Sequence, residues 1–80
     1  MSSPIQPSQV RAEAYRDLAM QAINRVADYR AKAELFTQQG QAEIAAEYHQ
    51  LANEAVARAE RYMILADFAE RNAEENQKAS

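Results

Sequence analysis

The sequence predicts an all-α protein in which two long helices fold back on one another as an antiparallel, coiled-coil-like hairpin. Two alanine-rich segments, residues 8–39 and 42–76, contain neither glycine nor proline. Both carry apolar side chains at alternating spacings of three and four residues, the pattern of a helix that buries one face. Gly40, the only glycine of the chain, lies between them. No segment alternates between apolar and polar residues as a half-buried strand does.

The segment before the first helix is predicted to be a disordered or extended tail. Residues 1–7 include Pro4 and Pro7, and a proline ring inside a helix clashes with the carbonyl four residues earlier. Ser8 is a suitable N-cap, although Pro7 is also acceptable as the first helical residue. We therefore expect the first helix to span residues 8–39.

Gly40 is predicted to form the turn, because a glycine after a helical segment commonly takes the left-handed conformation that closes a helix C-terminus. The second helix is predicted to span residues 42–76, followed by a polar, frayed end at residues 77–80. A connection this short between two long helices makes them antiparallel.

Each predicted helix has a seam of residues at heptad spacing, which is typical of left-handed coiled coils. The seam of the first helix is Ala12, Tyr15, Ala19, Ala22, Val26, Tyr29, Ala33 and Phe36. The seam of the second helix is Ile44, Tyr48, Leu51, Ala55, Arg58, Tyr62, Leu65 and Ala69. The second helix also carries a separate row of alanines that repeats every seven residues, namely Ala45, Ala52, Ala59, Ala66 and Ala73. This row either lets another helix approach closely or reflects only the high helix propensity of alanine.

The tyrosines predict the register of the hairpin. Tyr15 and Tyr29 are fourteen residues apart, and so are Tyr48 and Tyr62. Pairing residues whose numbers sum to 77 places Tyr15 beside Tyr62 and Tyr29 beside Tyr48. We interpret the four side chains as core residues whose hydroxyl groups reach the edge of the seam.

The two seams leave several large apolar side chains without a partner inside one hairpin. We predict that they form a protein-binding surface toward its open end, consisting of Leu18, Met20, Ile23, Val56, Met63, Ile64 and Phe68. The chain has 80 residues, 18 of them alanine, and no cysteine, so its core is small and no disulfide stabilises it. We therefore expect a homodimer in which two hairpins pack as a four-helix bundle.

No pattern in the sequence indicates catalysis, a cofactor or a metal site. The single histidine, His49, has no acidic or cysteine partner at a metal-ligand spacing, and no glycine-rich loop is present to hold phosphate. All four serines lie near the ends of the chain, far from His49 in sequence, so a nucleophile with an adjacent base is not expected. The predicted protein is not an enzyme.

Composition also limits the location and the partners. No apolar run is long enough to cross a membrane, and Met1–Val10 lacks the features of a signal peptide. The absence of cysteine fits a reducing compartment, so a cytoplasmic location is expected. A net charge of −3 argues against nucleic acid as a partner unless the basic residues are segregated on one face, and in this sequence they are partly segregated.

Three functions follow from this pattern. The first is a protein-binding module that acts as an inhibitor, antiactivator or adaptor, and the chain resembles small bacterial and phage antiactivators in size and composition. The second is RNA binding through Arg11, Arg25 and Lys32, which share one flank of the first helix. The alanine-containing seam and single turn resemble the Rop family, which implies a four-helix bundle that binds RNA, but no RNA-contacting motif of that family is matched. The third is a structural coiled-coil component of a larger assembly.

Overall fold

The computed structural model describes residues 7–79 and places the side chains of residues 7–72. These residues form two helices, α1 (Pro7–Gln38) and α2 (Ala42–Ala79), with no strand in the described range. The helices pack against each other as a hairpin whose Cα atoms extend over 62 × 21 × 11 Å. The predicted all-α two-helix hairpin is therefore confirmed. Of the tail predicted for residues 1–7, residues 1–6 lie outside the described residues, and so does Ser80 of the frayed end predicted for residues 77–80.

Three helix ends differ from the sequence prediction, because α1 spans Pro7–Gln38 where residues 8–39 were expected and α2 ends at Ala79. α1 begins at Pro7, because the amide hydrogen that proline lacks is one that the first helical turn leaves unpaired in any case. Ser8 consequently lies inside the helix. α2 continues past the expected end at Asn76 as far as Ala79, because no glycine or proline follows Gly40 to stop it.

The turn between the helices is a Schellman motif. The Gly40 amide donates a hydrogen bond to the Thr37 carbonyl at 3.1 Å, and the Gln41 amide donates to the Phe36 carbonyl at 2.9 Å. This pairing needs a left-handed residue, and Gly40 has a φ of 77°. The Gln41 carbonyl accepts from the Ala45 amide at 3.1 Å, so α2 starts directly after the turn. The predicted role of Gly40 is confirmed.

The α1 side of the interface follows the predicted seam. Five of its residues are buried, namely Ala12, Ala19, Ala22, Val26 and Ala33. The three aromatic members, Tyr15, Tyr29 and Phe36, are half-buried. Aromatic rings at the seam thus lie over its edge, with only part of their surface covered.

The predicted α2 seam is wrong at half of its positions. Ile44, Leu51 and Leu65 are 37%, 39% and 37% exposed, and Arg58 is exposed as well. In each case the next residue along the chain is buried instead, and these residues are Ala45, Ala52, Ala59 and Ala66. The interface of α2 is therefore Ala45, Tyr48, Ala52, Ala55, Ala59, Tyr62, Ala66 and Ala69.

Small side chains explain this rotation of α2. The buried hydrophobic residues in the described part of the chain are ten alanines and Val26. Val26 packs against Ala52 and Ala55, and facing rows of methyl groups leave no room between the backbones for leucine or isoleucine. The rotation also keeps the Arg58 guanidinium in water, which avoids the cost of burying an unpaired charge.

The aromatic rings confirm the predicted register. The ring centroids of Tyr15 and Tyr62 are 6.4 Å apart, and those of Tyr29 and Tyr48 are 6.3 Å apart. Phe36 stacks on Tyr48 at 5.5 Å. Aromatic pairs at these distances contribute about 0.5–1.5 kcal/mol beyond their buried area. They therefore fix the alignment of two helices whose alanine rows alone are nearly uniform.

The alanine seam predicts a large effect from a leucine placed within it. Ala52 is 1% exposed, so we expect Ala52→Leu to lower the free energy of unfolding by about 1–3 kcal/mol through overpacking. Ala57→Leu is the matched control, because Ala57 is exposed. Chemical denaturation followed by circular dichroism measures both. If the two variants were equally stable, the seam would not be the row that contains Ala52.

The turn predicts a smaller, local effect. We expect Gly40→Ala to lower the free energy of unfolding by about 1–2 kcal/mol, the cost of a left-handed residue with a Cβ atom. Nothing lies within 4 Å of a Cβ built at this position, so the loss comes from the backbone and not from a clash. Gln39→Ala, at an exposed neighbouring position, serves as the control in the same denaturation experiment. A Gly40→Ala variant as stable as the parent would contradict the assigned conformation.

Candidate protein-binding site

The outer surface of the hairpin carries large apolar side chains, while the seam holds small ones. In the described part of the chain, the large apolar residues with more than a third of their area exposed are Val10, Leu18, Met20, Ile23, Leu35, Ile44, Leu51, Met63, Ile64, Leu65 and Phe68. Burial of these groups is worth far more than burial of alanine. The side chains whose burial would be most favourable therefore remain exposed to solvent.

The seam divides this outer surface into two flanks on opposite sides of the hairpin. We call the first the Met63 flank, which consists of Arg16, Ile23, Arg30, His49, Val56, Met63 and Glu70. We call the second the Leu51 flank, which consists of Arg11, Leu18, Arg25, Lys32, Ile44, Leu51, Arg58 and Leu65. The residues of each flank recur every seven positions beside the seam. Both helices of the antiparallel hairpin contribute residues to each flank.

The Met63 flank contains an apolar groove of about 580 Å³. The groove is lined by Ile23, Val26, Arg30, Val56, Ala59, Glu60, Met63 and Ile64. Val26 and Ala59 belong to the seam, so the groove reaches down to the contact between the helices. An ion pair between Arg16 and Glu70 lies on the same flank. Both side chains are more than 40% exposed, so the pair contributes little to stability.

The Leu51 flank is narrower and more basic. Its depression of about 260 Å³ is lined by Leu18, Gln21, Ala22, Arg25, Arg58 and Tyr62. Farther toward the turn, the Lys32 ammonium lies 5.8 Å from the centre of the Tyr48 ring, within the range of a cation–π contact. Another depression, of about 400 Å³, lies at the turn and is lined by residues 40–44.

The seven residues predicted as a protein-binding surface do not form a single patch. Ile23, Val56, Met63 and Ile64 line the groove of the Met63 flank. Leu18 lies on the opposite flank. Met20 and Phe68 are 56% and 58% exposed and line neither depression. All but Val56, which is half-buried, are exposed side chains.

The sequence prediction assigned four members of the Leu51 flank to the seam, three of them aliphatic. Ile44, Leu51 and Leu65 were assigned to the seam, because large apolar residues are the usual choice for heptad core positions. The signal that would have placed them correctly was the alanine row beginning at Ala45, which repeats every seven residues along the same helix. The charged residue in the predicted seam, Arg58, was a second indication that this row is exposed.

The described residues contain no group of three or more His, Cys, Asp or Glu side chains able to hold a metal ion. Neither described helix is long and apolar enough to cross a membrane. Comparison with protein-family models, curated proteins and solved structures found no match to this chain.

Proposed function

We propose that this chain is a non-enzymatic protein-binding module that acts as a homodimer, with two hairpins paired through their Met63 flanks into a four-helix bundle. The observation that carries the proposal is the alanine seam. Each buried alanine methyl contributes about 0.8 kcal/mol or less, whereas ordering one residue costs roughly 1.5 kcal/mol. A single hairpin held mainly by such contacts gains too little to remain folded alone.

The exposed area supports the same conclusion. The hairpin has an accessible surface of 6299 Å², whereas a compact monomer of its mass exposes about 4,900 Å². The excess of about 1,400 Å² exceeds the roughly 800 Å² that each partner buries in an interface of standard size. Pairing two hairpins along one flank would therefore bury more than half of this excess and leave about 600 Å² of it exposed.

The Met63 flank suits self-association better than the Leu51 flank. Its groove is apolar, and it holds one cation, Arg30, and one carboxylate, Glu60. A twofold axis presents the same surface on both copies, so a surface with both charge signs avoids facing a cluster of like charges. Ile23, Val56 and Met63 would then pack against their counterparts and cover the groove.

A dimer of this kind leaves the Leu51 flank open for a different protein. Exposed apolar side chains in a row along a helix pair form the groove into which an amphipathic helix of a partner packs. Binding of that sort suits an inhibitor, antiactivator or adaptor, which acts by occupying a surface of its target. Cytoplasmic location remains part of this proposal.

RNA binding is the second candidate function, and one observation favours it. Arg11, Arg25 and Lys32, which the RNA hypothesis uses, lie with Arg58 on the Leu51 flank. Leu18 separates Arg11 from Arg25 on α1, however, and Tyr48 and Tyr62 are half-buried in the seam. Binding to single-stranded RNA depends on exposed aromatic faces on which bases stack. Protein binding therefore fits the flank better.

The dimer is tested by sedimentation of the full chain at micromolar concentration. We expect a species of twice the chain mass. Ile23→Asp is expected to weaken dimerisation on the order of a hundredfold, because it buries a charge in the groove. Ile44→Asp, the same substitution on the opposite flank, is expected to leave the dimer intact.

Two outcomes would contradict the dimer through the Met63 flank. One is a monomer of 9.0 kDa that stays helical and unfolds cooperatively. The other is loss of the dimer in Ile44→Asp with no loss in Ile23→Asp, which would assign the interface to the Leu51 flank.

The choice between protein and RNA is tested by capture of partners from a host lysate with and without nuclease. We expect nuclease treatment to leave the captured protein unchanged. We also expect the dimer to bind bulk RNA weakly at low salt, because a net charge of −3 gives little counterion release. Tight RNA binding that falls steeply toward physiological salt would reverse the order of the two functions.

A further inference from the structure

The Leu51 flank holds four of the nine basic residues of the chain and no acidic residue. The chain as a whole has twelve acidic and nine basic residues. The eight positions of this flank nevertheless hold four basic residues, four aliphatic residues and no acidic residue. The basic residues are Arg11, Arg25, Lys32 and Arg58, and the aliphatic residues are Leu18, Ile44, Leu51 and Leu65. All eight side chains are exposed. A flank of this composition in an acidic protein favours a partner of opposite charge.

The antiparallel hairpin places cations from both helices around one depression. Arg25 of α1 and Arg58 of α2 line it together with Leu18, and the seam residues Ala22 and Tyr62 also contribute to its lining. Within the described part of the chain, the only salt bridge joins Arg16 and Glu70 on the other flank. The two guanidinium groups of the depression therefore have no carboxylate partner among the described residues.

A second copy of the chain is a poor occupant of this flank. Two Leu51 flanks facing each other would set cations against cations or against leucine and isoleucine side chains. A cation buried without a counter-ion is strongly unfavourable, and like charges across an interface cost several kcal/mol. The occupant must instead bring carboxylates for the arginines and apolar side chains for the aliphatic residues.

We propose that the Leu51 flank is the docking site for an acidic amphipathic helix of another protein. This proposal rests on the proposed function and specifies the chemistry of the partner. Carboxylates of the helix would pair with Arg25 and Arg58, because guanidinium groups bind carboxylates in a two-point geometry. Its apolar residues would pack between Leu18 and the aliphatic row of α2.

The dimensions of the flank fit this occupant. Arg11 to Lys32 spans about 32 Å along α1, the length of a helix of roughly 20 residues. The cations and the aliphatic residues repeat every seven residues on each helix, which is the repeat of a helix that packs lengthwise. The next row outward holds Asp28, Glu47 and Glu54 beside Arg61, so the basic surface is confined to one row on each helix and does not widen into the basic patch that a phosphate backbone follows.

The test uses two synthetic peptides of about 20 residues with the same leucine stripe, one carrying glutamate and the other lysine beside it. Binding to the full-length protein is measured by fluorescence anisotropy. We expect the acidic peptide to bind at least about tenfold more tightly than the basic one. The difference should shrink as salt is raised, because exposed charges are screened.

Arg58→Glu and Arg71→Glu are matched variants that change the net charge equally. Arg58 lines the depression, whereas Arg71 is exposed and lies outside both flanks. We expect Arg58→Glu to lower the affinity for the acidic peptide about tenfold and to raise the affinity for the basic peptide. Arg71→Glu should change either affinity by about twofold at most, as surface substitutions do.

Three results would overturn the proposal. The first is equal affinity for the acidic and basic peptides. The second is an equal effect of Arg58→Glu and Arg71→Glu. The third is that a single-stranded RNA of about 20 nucleotides competes with the acidic peptide and binds more tightly than it does. That result would assign the flank to nucleic acid. Sedimentation of each variant keeps this test separate from the proposed dimer, because a monomer that still prefers the acidic peptide would refute only the dimer.

Discussion

The close contact between two rows of alanine is the constraint on which the rest of this structure depends. Ala19, Ala52, Ala59 and Ala66 are 0–5% exposed, and Val26 is the one larger hydrophobic residue buried with the alanines in the described part of the chain. The contact consequently sends leucine, isoleucine and methionine outward. The same feature that brings the helices together thus leaves the hairpin with an apolar exterior and a weakly stabilised interior.

The seam also determines how the exterior is divided. Residues on one side of it form an apolar groove with both charge signs, and residues on the other side combine cations with aliphatic groups and include no acidic residue. A rotation of α2 by one residue, or about 100°, would return Leu51 and Leu65 to the interior and remove the second surface. The position of one helix about its own axis therefore decides which surfaces remain for binding.

Much of the fold was predictable from local features of the sequence. Gly40 identified the turn because only glycine adopts its backbone conformation without strain, and the tyrosine spacing gave the register because each helix carries one pair. The α1 seam was predicted correctly since its alanines and Val26 have no competing row. The α2 seam was not, because two rows one residue apart both satisfy the heptad pattern, and the choice depends on how closely the helices approach.

The candidate site depended on this choice only in part. Leu18, Ile23 and Phe68 were correctly expected to lie outside the seam, and Leu18 and Ile23 fall on opposite sides of the correctly predicted α1 seam. Only the residues of α2 that accompany each of them depended on the rotation of that helix. The identity of a partner is a property of another molecule, so this sequence can specify only the chemistry that such a partner must match.

The register has a consequence for the order in which the hairpin folds. Phe36 and Tyr48 stack close to the turn, where closing the connecting loop costs little entropy, whereas Tyr15 and Tyr62 must close a much longer one. Loop-closure entropy therefore favours contacts near the turn over contacts near the open end. On this basis we expect the contacts beside Ala12 and Ala69 to form last and to open first, so that the groove around Met63 is complete only when the helices are paired along most of their length.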